Sequence, residues 1–335
     1  MHALQLDAIH QPAAIRDVPT PTPAEGEILV KLHAAALNHR DVFIQQGLYA
    51  GIKLPCTLGA DGAGEVAAHG AGVPASAPEV GRRVLINPGL RWGDNPRAQA
   101  RDFVVLGMPD PGTFAEYIAL PARYIFPLPA HLSYEQGAAL PLAGLTAYRA
   151  AFTRAQVQAG ERVLVTGVGG GVALLAAQLC AAQGAEVWVT SSSEEKLARA
   201  QTLGAKGGVN YNAENWVKTL VQQAGGPFDV IIDSAAGPAF NALLDAAAPG
   251  GRIVFYGGTL GAIPQLPPAK VFWKQLSILG STMGTEQDFA AMLQLVTEKE
   301  IVPVVDEVFP LAEGEAALRR LEAGAQFGKV VLKIV

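Results

Sequence analysis

A chain of 335 residues exceeds what one hydrophobic core comfortably organises, so two domains are expected. Half of the residues are hydrophobic and the net charge is −5 with no dense Lys/Arg block, which argues against a nucleic-acid surface and for large buried sheets. Cys56 and Cys180 are the only cysteines, too few for a disulfide framework or a four-cysteine zinc site, and they fit a reducing cytoplasm.

The N-terminus, MHALQLDAIH, lacks the charged head and apolar core of a secretion signal. Pro19, Pro21 and Pro23 hold an extended edge ahead of a strand at Ile28–Leu32. Further short strands are predicted at Gly64–Ala68, Val84–Ile86 and Phe114–Ala119, separated by Gly, Pro and Asn. Such a pattern is all-β. From about Ser133 strand-like and helix-like runs alternate. Strands are predicted at Val163–Thr166, Val187–Thr190, Gly208–Asn210, Phe228–Asp233, Arg252–Tyr256 and Ser277–Gly280. This alternation predicts a parallel sheet covered by helices on both faces. Two helix-like stretches, 286–299 and 312–323, and a last strand, Val330–Val335, close the chain.

One stretch carries chemistry of its own, from Glu161 to Lys196. A β-branched run, Val163–Thr166, leads into Gly167, Gly169, Gly170 and Gly171, and then Val172, Leu175 and Leu179 recur at helical spacing. Strand, glycine turn, helix and strand make the βαβ unit that seats a dinucleotide pyrophosphate on a helix N-terminus. Gly167 turns the chain off the strand, while Gly170 and Gly171 leave phosphate access to backbone N–H groups. Val163–Ala182 is long enough for a membrane span, but its glycines, Gln178 and strand-like start read as a buried βα pair.

The cofactor's identity is read at the end of the second strand. An NAD-selective site places Asp or Glu there to bind the ribose 2′-hydroxyl. This chain has Ser191, Ser192 and Ser193, with Lys196 one helical turn on. Hydroxyls and an ammonium suit a 2′-phosphate, so NADP(H) is expected. Ser192 and Glu195 also satisfy a Ser-x-x-Glu capping pattern, and Glu194 and Glu195 suit a helix first turn.

With both halves in view, LNHRDVFIQQGLY (37–49), LPCTLGADGAGEV (54–66), GTFAEYIALPA (112–122), ALPLAGLTAY (139–148), VLVTGVGGGVALLAAQL (163–179) and FGKVVLKI (327–334) appear in one order. In that order the chain resembles the medium-chain dehydrogenase/reductase superfamily, on its zinc-free, quinone-oxidoreductase-like branch. The resemblance implies an α/β fold: a Rossmann doubly wound parallel sheet plus a GroES-like β-barrel catalytic domain. The boundaries expected are 1–130, completed by 282–335, for the catalytic domain and 131–281 for the nucleotide domain. It also implies a homodimer or homotetramer, and no nucleic-acid or membrane partner.

Zinc members of the superfamily carry a Cys, a His and a further Cys or carboxylate where this chain has Asn38, Ala60 and Leu142. Ala60 and Leu142 cannot coordinate, and the region 88–111 contains no cysteine for a structural zinc. No metal is therefore expected. Without one, Asn38 and Tyr49 are the candidate donors to a substrate oxygen. Asp41 is a further catalytic candidate from the resemblance, though a carboxylate between Arg40 and a turn also reads as a paired, hydrogen-bonded group. The resemblance places His39, Thr146, Tyr211, Ser234, Tyr256, Gly257 and Lys329 near the cofactor. The function expected is NADPH-dependent, metal-independent hydride transfer to a quinone or an α,β-unsaturated carbonyl. Two alternatives remain open at this point: a zinc-type alcohol dehydrogenase, and a non-catalytic nucleotide-binding protein on the same fold.

Overall fold

The computed structural model describes residues 1–334. The chain divides into two compact units, Met1–Leu142 with the chain from Thr285 onward, and Ala143–Gly284. The first unit extends past the expected residue 130 because the short helix Tyr134–Ala138 packs on its strands.

The first unit is built on a seven-stranded sheet. Its order is Ile125–Pro127, Arg83–Ile86, Asp61–His69, Glu27–Ala36, Lys329–Lys333 and Val305–Pro310, with Tyr117–Pro121 also paired to Glu27–Ala36. The central strand Glu27–Ala36 (EILVKLHAAA) alternates, burying Ile28, Val30, Leu32 and Ala34 completely. Its last residues, Ala35 and Ala36, are buried on both faces. Here the strand is flanked on one side by Asp61, which pairs with Ala36, and on the other by Val331, which pairs with the same residue. The final strand is therefore integral to the first unit. Phe114, expected inside a strand, is fully buried in the apolar core instead, and regular pairing starts at Tyr117.

The second unit is a six-stranded parallel sheet. Its order is Gly207–Asn210, Glu186–Ser191, Arg162–Val165, Phe228–Asp233, Ala247–Phe255 and Ser277–Gly280. In chain sequence this reads 3-2-1-4-5-6, the doubly wound order, with its switch point between Arg162–Val165 and Phe228–Asp233. Val163, Leu164, Val165, Val230, Ile231 and Ile232 are all buried, as expected for strands covered on both faces. The fifth strand begins at Ala247 rather than Arg252, because AAPGG continues it through a register shift. Among the described residues no helix is long and apolar enough to cross a membrane. The Val163–Ala182 stretch is divided between the strand Arg162–Val165 and the helix Gly171–Ala182.

Close approach of backbones in the first sheet depends on Gly64, where an added Cβ would lie 2.0 Å from the Lys31 carbonyl oxygen. Neither strand has room to yield there. Gly64→Ala is expected to cost about 1–3 kcal/mol of stability, read as a lower urea midpoint. An unchanged midpoint would show that this strand pair opens freely.

Candidate active site

The nucleotide unit gathers its candidate residues at the carboxyl ends of its parallel strands, where ligands bind in this fold class. Gly167 (φ +66°) and Gly169 (φ +148°) take backbone conformations that other residues adopt only with strain. Gly170 is different. Its φ of −78° is open to any residue, and a Cβ there would meet nothing within 4 Å. Its side-chain position is simply empty space in front of the twelve-residue helix Gly171–Ala182. No side chain caps that helix, so the N–H groups around Val172 remain available to an anion.

Lys196 reaches back to this turn. A Cβ on Gly169 would lie 3.4 Å from the Lys196 Nζ, so the ammonium stands against the glycine backbone. Ser191 is buried at the end of the strand Glu186–Ser191, and its Oγ accepts from the Ser193 N–H at 3.2 Å. The Ser191 carbonyl accepts from the Tyr211 N–H at 3.1 Å, which brings the exposed Tyr211 ring to the same strand end. Ser192 is exposed. The expected cap moves by one residue: Ser193, not Ser192, accepts from the Lys196 N–H and starts the helix Glu194–Thr202. Three consecutive serines offer equivalent hydroxyls, and the bend of the chain selects among them.

Beyond the switch point, the Ser234 Oγ faces the turn at Gly167, and Gly257 lies so close to the Ser234 carbonyl that a Cβ would come within 2.8 Å. Asp233 shapes this bend by accepting from the Thr166 hydroxyl (2.6 Å) and the Ala236 N–H (2.7 Å). Burial holds the Tyr256 phenol above its ordinary pKa. Thr146 sits on the helix Pro141–Tyr148, buried beside the sulfur of Met283.

The first unit carries a second polar cluster, and two of its members, Asp61 and Arg40, were not singled out from sequence. Asn38 follows the central strand and precedes the helix His39–Gln45. Antiparallel register places Lys329 across from it, while Asp61 enters from the opposite neighbour. The Lys329 Nζ donates to the Asn38 Oδ1 at 2.6 Å and to the Asp61 Oδ2 at 3.0 Å. The Asn38 Nδ2 donates to the same Asp61 oxygen at 2.9 Å, and the Leu142 N–H donates to the Asp61 Oδ1 at 2.7 Å. Asp61 is 0% exposed and Lys329 only 5%. The second Asn38 amide hydrogen has only the Ala36 carbonyl, at 3.5 Å, the outer edge of hydrogen bonding.

Asp41 is fully buried: one oxygen accepts from the Asn38 N–H at 2.8 Å, and the other has no hydrogen-bond partner. The neighbouring Arg40 makes its hydrogen bonds elsewhere. Its guanidinium donates to the carbonyls of Leu106 (2.7 Å), Val105 and Met108, and lies 4.9 Å from the centre of the Tyr49 ring. Tyr49 is thus held by Arg40, whose Nε is 3.4 Å from the phenol oxygen. His39 is exposed and stacks on Phe43.

Comparison with known proteins agrees with both halves. Residues 24–130 match the alcohol dehydrogenase GroES-like domain, and residues 171–298 match the zinc-binding dehydrogenase domain. A zinc-type alcohol dehydrogenase-like protein, YogA, of Leptosphaeria maculans is 35% identical over 97% of this chain and 96% of its own. The chain belongs to the medium-chain dehydrogenase/reductase superfamily. Another member, the quinone oxidoreductase of Rattus norvegicus, is 32% identical over 94% of this chain and 92% of its own. A crystal structure of an NAD-dependent alcohol dehydrogenase matches with a TM-score of 0.94 at 40% identity, covering all of both chains. The protein is accordingly an oxidoreductase of this superfamily with a nicotinamide dinucleotide cofactor.

The residues fit that cofactor: the space before Gly170, the uncapped helix N-terminus and the Lys196 ammonium together suit a dinucleotide's phosphates. They do not fit a superfamily zinc. Ala60 and Leu142 have no ligating side-chain atom, and the Asn38 Oδ1 already accepts from an ammonium that would repel a cation. Among the described residues no group of three or more His, Cys, Asp or Glu could hold a metal ion.

Gly170→Val should fill the phosphate space without straining the backbone. Its Kd for the dinucleotide should rise at least about tenfold, or about 1.4 kcal/mol, while the melting temperature stays near wild type. Unchanged affinity would remove Gly170 from the site. Asp41 gives a second test. Burial, opposed by Arg40 and the Asn38 N–H, holds its carboxyl above the usual range. A carboxyl with a raised folded pKa destabilises the folded state increasingly as pH climbs from its unfolded value, near 3.9, through the folded one. Asp41→Asn should therefore gain stability relative to wild type as pH rises from about 4 to about 8. A flat difference would show that folding leaves this carboxyl unshifted, and a reversed one that Asp41 is stabilised as a carboxylate.

Proposed function

We propose that this protein is an NADPH-dependent reductase of quinones or α,β-unsaturated carbonyls that works without a metal. One observation chiefly carries the reading: where zinc relatives carry ligands, Asn38 is closed around a lysine ammonium and a carboxylate. That arrangement offers hydrogen-bond donors and a fixed charge to a substrate oxygen. The chemistry the cofactor supplies when bound is two electrons delivered as hydride. Gly167, Gly169, Gly170, Gly171 and Val172 hold its phosphates by backbone, with Ser234, Tyr256 and Gly257 at the neighbouring strand ends. Ser191, Ser192, Lys196 and Tyr211 receive the adenosine end, where hydroxyls and an ammonium favour a 2′-phosphate. Thr146 and His39 complete the cofactor set in this reading, whereas Lys329, expected beside the cofactor, donates inward to Asn38 and Asp61.

For a quinone, solvent provides the protons after charge develops on oxygen, and the Asn38 amide steadies that charge. For an enone, a proton must also reach the α-carbon, and the Tyr49 phenol, oriented by Arg40, is the candidate donor. The solved structure at 40% identity is named for NAD, and a comparison of the two cofactors decides which one this protein uses.

Quinones, enones and alcohols should be assayed with NADPH and NADH, with and without chelator. NADPH-dependent, chelator-insensitive turnover of quinones or enones is expected. Lys196→Ala should raise KM for NADPH about tenfold, roughly the loss of one charge-assisted phosphate contact, and raise KM for NADH clearly less. Equal use of both cofactors, unaffected by this substitution, overturns the preference. Tyr49→Phe should reduce enone turnover more than quinone turnover, and equal loss on both removes Tyr49 from the acid role.

A further inference from the structure

We propose that Lys329 and Asp61 are positioning residues that orient and polarise the Asn38 amide, so that Lys329 acts on the reaction through Asn38 rather than by holding the cofactor. This inference rests on the reading of Asn38 as donor to the substrate oxygen.

Hydrogen-bond bookkeeping leaves Asn38 one orientation. An ammonium has only donors and a carboxylate only acceptors. Asn38 must therefore present Oδ1 to Lys329 and Nδ2 to Asp61, the arrangement found at 2.6 Å and 2.9 Å. A flipped amide would set its NH2 against an ammonium and its carbonyl against a carboxylate. One amide hydrogen is thereby committed to Asp61, and the other is left with a 3.5 Å contact to the Ala36 carbonyl, the weakest bond in the cluster. That second hydrogen is the one able to serve a substrate oxygen. A charge-assisted bond to Oδ1 draws electron density from the amide nitrogen and makes its remaining N–H a better donor.

The same geometry makes Lys329 unsuited to a direct phosphate contact. Its ammonium is nearly inaccessible and makes two short hydrogen bonds inward. Asp61 is held in turn by the Leu142 N–H, so its carboxylate cannot turn away from the pair.

The test is a double-substitution cycle of Asn38→Ala and Lys329→Met with NADPH and whichever acceptor the wild type reduces. Lys329→Met should lower kcat roughly 10- to 100-fold, somewhat less than direct loss of an oxyanion donor, with KM for NADPH within about twofold. Lys329→Arg should recover much of the loss. In Asn38→Ala the further change Lys329→Met should have almost no effect. Multiplying effects, or a raised KM for NADPH at unchanged kcat, overturn the proposal. If Lys329→Met alone does not fold, Asp61→Asn with Lys329→Met removes both charges, and wild-type kcat in that variant is equally fatal. A readout free of turnover separates this proposal from the reading beneath it. In protein labelled with [15N]Asn, the Asn38 side-chain amide protons should shift in Lys329→Met. Unmoved resonances overturn the positioning role, whereas shifted resonances in a protein that reduces no quinone or enone would support the positioning role and refute the reductase reading.

Discussion

The buried pairing of Lys329 with Asp61 is the interaction around which the first unit is arranged. Both charges lie away from water: each bonds the other and Asn38, and the Leu142 N–H adds a further bond to Asp61. A pair of this kind contributes little net stability compared with apolar residues of the same shape, but losing one partner costs about 3–5 kcal/mol. Its effect is therefore on specificity of arrangement. The strand Glu27–Ala36 must be flanked by Asp61–His69 and Lys329–Lys333 in one register, because a one-residue slip would leave an ammonium facing alkane. Asn38 inherits its orientation from that constraint.

The nucleotide unit is governed by a different economy, that of empty space. Gly167 and Gly169 take backbone conformations that favour glycine, whereas Gly170 has an ordinary backbone and an open side-chain position. These two cases look identical in a string of letters. In the proposed reading the cofactor's seat is partly a volume the chain declines to fill, bordered by uncapped N–H groups and one lysine.

Much of this was legible in the residues. The strands Phe228–Asp233 and Ser277–Gly280 lie where their apolar runs predict, and the helix Glu286–Glu298 starts at a Thr285/Asp288 capping box. Continuous apolar runs bounded by turn residues have few alternatives in a doubly wound sheet. Asp61 was not legible. An acid within LGADGAG reads locally as an exposed strand position, and only pairing with the end of the chain reveals why it is buried. The Ser193 cap was missed for the opposite reason: too many equivalent candidates stood side by side. Lys329 was visible only through resemblance, which placed it by the cofactor, and its inward bonds to Asn38 and Asp61 depend on a register that no local pattern encodes.

The first unit is discontinuous, and this has a consequence for how the protein is made. Residues 38 and 61 leave the ribosome long before residue 329, with the whole second unit synthesised between them. Until the last strand arrives, Asp61 has no cationic partner and the central strand has one unpaired edge at Ala34–Ala36. The first half therefore lacks one neighbour of its central strand until synthesis ends, whereas every strand of the parallel sheet lies in one continuous stretch of the chain. Closure of so long a loop adds little to the equilibrium cost, since loop entropy grows only logarithmically, but it sets the order of events. A chain broken off before its final strand would lack both the second neighbour of Glu27–Ala36 and the cation that orients Asn38, so one segment carries an edge of the sheet and a charge of the site.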